Sequence, residues 1–90
     1  MLLLFSEFSD EQGICPNFIQ GDGASSSGES SAGNAVDELD CVKKVQEQFP
    51  QADGITYGDG TRCFAEFGWT HAADTSKWQT CKIKKQTGIL

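Results

Sequence analysis

Apolar residues recur at helical intervals between residues 37 and 49. The apolar positions are Leu39, Val42, Val45 and Phe49. Asp37 suits the position before a helix, because its carboxylate accepts hydrogen bonds from the first free backbone N–H groups. Pro50 disfavours the α conformation at the residue before it and so ends the helix. We therefore predict a helix over residues 37–49 that packs on another element through one face.

Short strands are predicted on both sides of this helix, from β-branched and aromatic residues before it and from alternating apolar and polar positions after it. The predicted strands are residues 13–19, 54–57, 62–67 and 77–83. The first is expected at a sheet edge, because Pro16 has no backbone N–H to donate. Residues 58–61, Gly-Asp-Gly-Thr, favour a hairpin turn. Together these elements predict an α+β fold with one helix packed on a small antiparallel sheet.

Two segments between these elements are predicted to be loops. Residues 21–35 are rich in glycine and serine, and burial of such side chains cannot offset the cost of ordering the backbone. Residues 70–76 are mostly polar and also favour a loop. The chain of 90 residues is expected to form a single domain, residues 1–90, with a flexible loop at 21–35.

Four cysteines change the expected source of stability. They are Cys15, Cys41, Cys63 and Cys81. A chain this short buries limited surface and often needs covalent staples. Zinc is disfavoured, because no two cysteines form a C-x-x-C pair and the only histidine is His71. An even number of cysteines in a short chain indicates two disulfides and secretion, although three pairings remain open.

Charge excludes some partners. The formal net charge is −6, which disfavours nucleic acid and anionic lipid, both of which attract basic surfaces. No apolar run is long enough to span a membrane, and Met1–Phe5 lacks the parts of a signal peptide. We therefore expect neither nucleic acid nor membrane insertion, which leaves an extracellular protein or glycan, or further copies of the chain in a homo-oligomer, as possible partners.

Catalytic and cofactor signals are weak in this sequence. No nucleophile elbow, phosphate-binding loop or dinucleotide motif occurs. His71 could act as a base near Asp74 and Ser76, but neighbours in a polar loop do not make a catalytic triad. We therefore expect a protein that is not an enzyme and has no cofactor.

Calcium is an alternative at the predicted hairpin. Asp53, Asp59 and Glu66 surround it, and carboxylate oxygens are the ligands that calcium prefers. The spacing is not that of an EF-hand, and Asp59 also suits the turn itself. No metal site is therefore predicted.

The aromatic residues of the predicted sheet are the candidate binding residues. They are Tyr57, Phe64, Trp69 and Trp78. Alternation places Cys63 and Ala65 on one face of their strand, and Phe64 and Glu66 on the other. One interpretation is a second small core beneath the long loop or the N-terminal segment. The other is an exposed aromatic patch for a sugar ring or a protein.

Three motifs together resemble the PAN/apple module over residues 36–83. They are Asp37-x-x-x-Cys41, Gly54-Ile55-Thr56-Tyr57 and Gly60-x-x-Cys63-x-Ala65. Apple modules commonly carry a further cysteine pair, whose places here are held by Val45 and by residues near Gly54 or Ile55. The resemblance implies the nested pairing Cys41–Cys63 and Cys15–Cys81, the latter by analogy.

The resemblance also implies a function. It indicates a secreted binding module that contacts protein or glycan in an extracellular matrix or surface assembly. A structural subunit that assembles into a filament or coat, through Met1–Phe8 or a strand edge, is the alternative. A disulfide-rich defence peptide or inhibitor is a third hypothesis.

Overall fold

A computed structural model, which describes residues 15, 17–73 and 77–84, places one helix and a small two-stranded sheet on opposite faces of a five-stranded sheet. The elements are β1 (Ile19–Gln20), β2 (Asp22–Ser25), β3 (Glu29–Asn34), α1 (Glu38–Gln48), β4 (Gly54–Gly58), β5 (Arg62–Glu66), β6 (Trp69–Ala73) and β7 (Trp78–Lys82). The predictions for residues 1–8, Pro16, Asp74 and Ser76 lie outside the described residues.

The helix forms where the sequence predicts it. The Asp37 carboxylate accepts a hydrogen bond from the Asp40 backbone N–H at 2.9 Å, and Asp40 in turn accepts from the Val36 N–H. This reciprocal cap begins α1, and Phe49 follows its last residue. Leu39 is 42% exposed, so its predicted place in the buried stripe is wrong. Successive residues of an α-helix are rotated by about 100°, so the Leu39 side chain points roughly 110° away from the mean direction of the buried residues Cys41, Val42 and Val45.

The large sheet is antiparallel, with the strand order β1-β7-β4-β5-β3. The β4–β5 hairpin turns as its residues predict, with positive φ angles of 49° at Asp59 and 95° at Gly60. This confirms the small α+β class with one helix on an antiparallel sheet. Of the first predicted strand, residues 13–19, the described part is residue 15 and residues 17–19, and in that part only Ile19 pairs with β7; β1 then continues to Gln20 at the sheet edge.

Both predicted loops contain strands, and this corrects the sequence prediction. Residues 21–35 form β2 and β3, while β6 lies within the predicted loop 70–76 and begins at Trp69. Strands are held together by backbone hydrogen bonds, which any residue type can form. A strand of small and polar residues therefore shows no alternation of apolar residues in its sequence. At Gly23 a Cβ atom would lie 2.5 Å from Thr80 Oγ1 and 2.6 Å from Thr56 Oγ1. The small residues that suggested flexibility therefore allow β2 to approach the large sheet closely.

The main core lies between α1 and the large sheet. Its most buried members are Cys41, Val42, Val45, Ala52, Ile55, Cys63 and Ala65. The disulfide Cys41–Cys63, here called the inner bridge, ties α1 to β5 across a Cα–Cα distance of 5.5 Å. The disulfide Cys15–Cys81, the outer bridge, ties the N-terminal part of the chain to β7. The nested pairing is thus confirmed.

Within the described residues, no helix reaches the length and apolarity needed to cross a membrane.

Candidate functional site

The small sheet of β2 and β6 covers only one end of the large sheet. The Gly23 backbone N–H of β2 donates to Thr56 Oγ1 at 3.2 Å, and the Trp69 indole N–H of β6 donates to Thr80 Oγ1 at 2.9 Å. Thr56 and Thr80 are fully buried in consequence. On the same face, Phe64 lies directly opposite Thr56 but is only half-buried, and Trp78 lies next to it towards the hairpin end of the sheet.

Phe64 and Trp78 form an aromatic pair at this open end. Their ring centroids lie 5.7 Å apart at an interplanar angle of 71°. The Arg62 guanidinium carbon lies 5.2 Å from the Phe64 centroid and 5.5 Å from that of Trp78. The same guanidinium forms a 3.1 Å ion pair with Asp59, which holds it beside the hairpin turn. The pair is therefore positioned by backbone register and by a cation over both rings.

The four candidate aromatics do not form one patch. Trp69 joins the two sheets through its bond to Thr80, which agrees with a second core beneath residues 21–35. Tyr57 packs against the main core on the helix side, and its hydroxyl donates to the Ala35 carbonyl at 2.9 Å. Burial, and then the nearby carboxylates of the helix start, raise the pKa of Tyr57, so this hydroxyl keeps its proton. Only Phe64 and Trp78 stand together.

An open groove of about 520 Å³ is lined by both Tyr57 and Trp78, although the strand register directs their side chains to opposite faces of the large sheet. It lies around the end of β4 and the hairpin turn. Its lining residues are Gln20, Glu38, Tyr57, Gly58, Asp59, Gly60, Lys77, Trp78 and Gln79. The glycines of the turn carry no side chains, so they leave the space between the aromatic and polar groups open. Sequence reasoning missed Gln20, Gln79 and Glu38, because they come from three different elements.

The residues that line the groove include two aromatic residues and several groups that donate or accept hydrogen bonds. The amides of Gln20 and Gln79 each offer an N–H₂ donor and a carbonyl acceptor. Glu38 and Asp59 add carboxylate acceptors, and Lys77 adds an ammonium donor. Such an arrangement suits a ligand with several hydroxyl groups and an apolar face.

A second group of polar side chains lies at the covered end of the large sheet. Carboxylate oxygens of Asp22, Glu29 and Glu66 all lie within 4.8 Å of one another. Glu66 is fully buried, with Ser25 Oγ 2.9 Å from one carboxylate oxygen and Thr56 Oγ1 2.6 Å from the other. Burial, with a further contribution from Glu29, raises the pKa of Glu66 to about 7.

This group differs from the calcium constellation considered from the sequence. Asp53 Oδ1 accepts the Trp69 backbone N–H at 2.9 Å, and Asp59 pairs with Arg62 at the far end of β5. Alternation correctly placed Glu66 on the Phe64 face, but the strand that buries it was predicted to be a loop. The burial of Glu66 was therefore not predicted, because nothing in the local sequence indicated strand β2.

His71 lies on the exposed side of β6. Its Nδ1 is 3.0 Å from Thr70 Oγ1. Asp74 and Ser76, which sequence reasoning placed near it, lie outside the described residues. The expectation that His71 has no catalytic role therefore stays a prediction.

No protein-family model matches this chain, and neither curated proteins nor solved structures give a significant match. The resemblance to apple modules therefore depends only on the motifs quoted above. The function must be argued from the geometry of the groove.

Proposed function

We propose that this protein is a secreted binding module whose groove binds a neutral or amino-bearing glycan in an extracellular matrix or surface assembly. The observation that supports this function is the juxtaposition of Tyr57 and Trp78 with the amides of Gln20 and Gln79 around one open groove. The geometry favours binding over catalysis, because these groups are suited to recognising a ligand.

A sugar ring matches these groups chemically. Its C–H faces are apolar and pack on aromatic rings, as amphipathic ligands do. Its hydroxyl groups each donate and accept, and a glutamine amide can satisfy both roles at once. A peptide presents fewer such groups in so small a space, so a glycan is the better fit.

Charge narrows the class of sugar. Glu38 contributes one negative charge to the groove and Lys77 one positive charge, whereas the charge of Asp59 is paired with that of Arg62. The whole chain carries a net charge of −6. The net negative charge of the chain therefore repels sulfated sugars and sugar acids, and it favours neutral or amino sugars.

Secretion is supported by the two disulfides, which persist in oxidising compartments. The nested bridges and the helix on an antiparallel sheet are also what the apple resemblance implies. We therefore keep an apple-like extracellular module as the proposed class of this protein.

A glycan panel tests the proposal directly. Oxidised protein is applied to immobilised neutral, amino-bearing, sulfated and carboxylated glycans, and hits are titrated while the indole N–H resonances of both tryptophans are followed. We expect the Trp78 resonance to shift and that of Trp69 to stay. Gln79→Ala and Gln20→Ala should each weaken binding by about tenfold, as expected for a lost hydrogen-bonding group. Gln51→Ala is the matched control, because Gln51 is exposed and does not line the groove.

The proposal is wrong if folded protein binds no neutral or amino glycan, or if all three glutamine variants bind alike. Preferential binding of sulfated glycans would overturn the charge argument. Absence of glycan binding together with a mass that rises at micromolar concentration would favour the assembling subunit instead.

A further inference from the structure

Glu66 occupies an unusual position between the two sheets. It stands directly opposite Glu29 in the β3–β5 pair, where like charges are unfavourable, and Asp22 approaches from β2. Its carboxyl group is fully buried. An ionised carboxylate in such a place needs a cation, yet within the described residues no ion pair involves Glu66.

A count of protons shows which form the surrounding hydrogen bonds require. Four oxygen atoms lie in series: Glu66 Oε2, Thr56 Oγ1, Thr80 Oγ1 and the Ile55 carbonyl oxygen. The three separations are 2.6, 3.0 and 2.8 Å, all within hydrogen-bonding distance. Three hydrogen bonds in series need three protons, and the hydroxyls of Thr56 and Thr80 supply only two. The third proton fits only on Glu66.

With that proton in place, every hydroxyl in the series is saturated. Thr56 Oγ1 accepts from Glu66 and from the Gly23 N–H, and it donates to Thr80. Thr80 Oγ1 accepts from Thr56 and from the Trp69 indole N–H, and it donates to the Ile55 carbonyl. We call these groups, with Ser25, the interlayer network. Both N–H donors belong to the small sheet, so this network holds the two sheets together.

We propose that Glu66 is a neutral carboxylic acid that completes the interlayer network, and that loss of its proton loosens the small sheet from the large one. On ionisation, the Thr56 hydroxyl must turn its proton towards the carboxylate. Thr80 then loses the donor on its Thr56 side, and the new charge faces Asp22 and Glu29. The protein thus contains a pH-dependent contact between its two sheets, at the opposite end of the large sheet from the proposed glycan groove.

The charged groups on the neighbouring elements are consistent with this assignment. Asp22 on β2 and Glu29 on β3 are acidic and close to Glu66. Asp53, before β4, accepts the Trp69 backbone N–H. His71 on β6 and Lys82 on β7 are exposed. Burial and Glu29 raise the pKa of Glu66 to about 7, so the proton is lost near neutral pH.

Carbon-13 NMR of the glutamate side chains in the oxidised full-length protein tests the protonation state without any variant. We expect one glutamate carboxyl carbon, absent from the spectrum of Glu66→Gln, to titrate about two pH units or more above an ordinary glutamate. A midpoint in the ordinary range for glutamate would overturn the proposal.

Hydrogen exchange of the Trp69 indole N–H tests the coupling to the small sheet. Its protection factor, corrected for intrinsic exchange, should fall by about tenfold or more between about pH 5 and about pH 9 in the unmodified protein. Glu66→Gln imitates the neutral acid, since its amide can donate to Thr56 and its carbonyl can accept from Ser25. Protection in this variant should not change with pH.

Two further variants distinguish the ionisation of Glu66 from that of other groups as the cause of the pH-dependent protection of the Trp69 indole N–H. Glu47→Gln removes an exposed glutamate of α1 and should retain the pH dependence. His71→Gln should retain it too, although histidine changes charge in the same pH range. If Glu66→Gln shows the same fall as the unmodified protein, or if His71→Gln abolishes it, the proposal fails. If Glu66→Gln does not fold, the carboxyl titration of the unmodified protein, with Glu29→Gln used for assignment, still decides the question.

Discussion

Thr80→Val is the substitution that most directly measures the contact between the two sheets. Thr80 is fully buried, and valine has nearly the same shape, so packing changes little. The variant loses the bond to the Ile55 carbonyl at 2.8 Å, the bond from the Trp69 indole at 2.9 Å and the 3.0 Å contact with Thr56. A buried hydrogen bond contributes about 1 kcal/mol net, and an orphaned donor costs about as much or more. We expect a loss of about 3 kcal/mol in the free energy of unfolding.

A matched variant on the small sheet gives the baseline. Thr70 is exposed on β6, where its hydroxyl donates to the Ala24 carbonyl at 3.2 Å. Its backbone environment is also a strand, so Thr70→Val carries the same change in β propensity. Solvent can replace the lost bond, and we expect a change of about 0.5 kcal/mol or less.

Urea unfolding of the oxidised proteins, followed by near-ultraviolet circular dichroism, measures both variants. The midpoint for Thr80→Val should fall, whereas the slope of free energy against urea should stay constant, because the surface exposed on unfolding is the same. A loss of under about 1 kcal/mol for Thr80→Val, or equal losses for the two variants, would refute the reasoning. In that case the threonine hydroxyls would not hold the sheets together.

Three further predictions concern stability. The pKa of Glu66 is raised in the folded protein to about 7, so folding favours the protonated form. The free energy of unfolding should therefore fall by about 3 kcal/mol, relative to that of Glu66→Gln, as pH rises from about 4.5 to about 7. Urea unfolding at each pH measures this change. Gly54→Ala should cost about 1–3 kcal/mol in thermal unfolding, because its Cβ would lie 2.5–2.8 Å from the Trp69 side chain; a wild-type midpoint would contradict that packing. Opening the inner and outer bridges removes roughly 3 and roughly 4 kcal/mol of chain-entropy stabilisation, so reductant should unfold the protein at about 37 °C; an unchanged cooperative melt would refute this.

Local signals made several elements predictable from the sequence. The cap of α1 depends on Asp37 and its own backbone neighbours, and the β4–β5 turn depends on the positive φ that Asp59 and Gly60 tolerate. These interactions span only a few residues, so the residue types alone specify them. The disulfide pairing was predictable too, through the apple resemblance, and the structure has the same two bridges.

Strands β2 and β3 were not predictable from local signals of this kind. Strands β2 and β3 are rich in glycine and serine, and their side chains give no apolar alternation. They form because distant backbone partners exist, β6 for β2 and β5 for β3. A long-range backbone pairing leaves little trace in local composition, so a structured segment looked like a flexible loop.

The candidate sites follow the same division. The sequence by itself determined which aromatic residues lie on the sheet, and alternation correctly placed Phe64 opposite the cysteine-bearing face. Only the tertiary structure decided that Trp78 shares a groove with Gln20 from β1, and that β2 buries Glu66. The physical reason is that a side chain's own strand sets its direction, whereas its burial and its neighbours depend on elements far away in the chain.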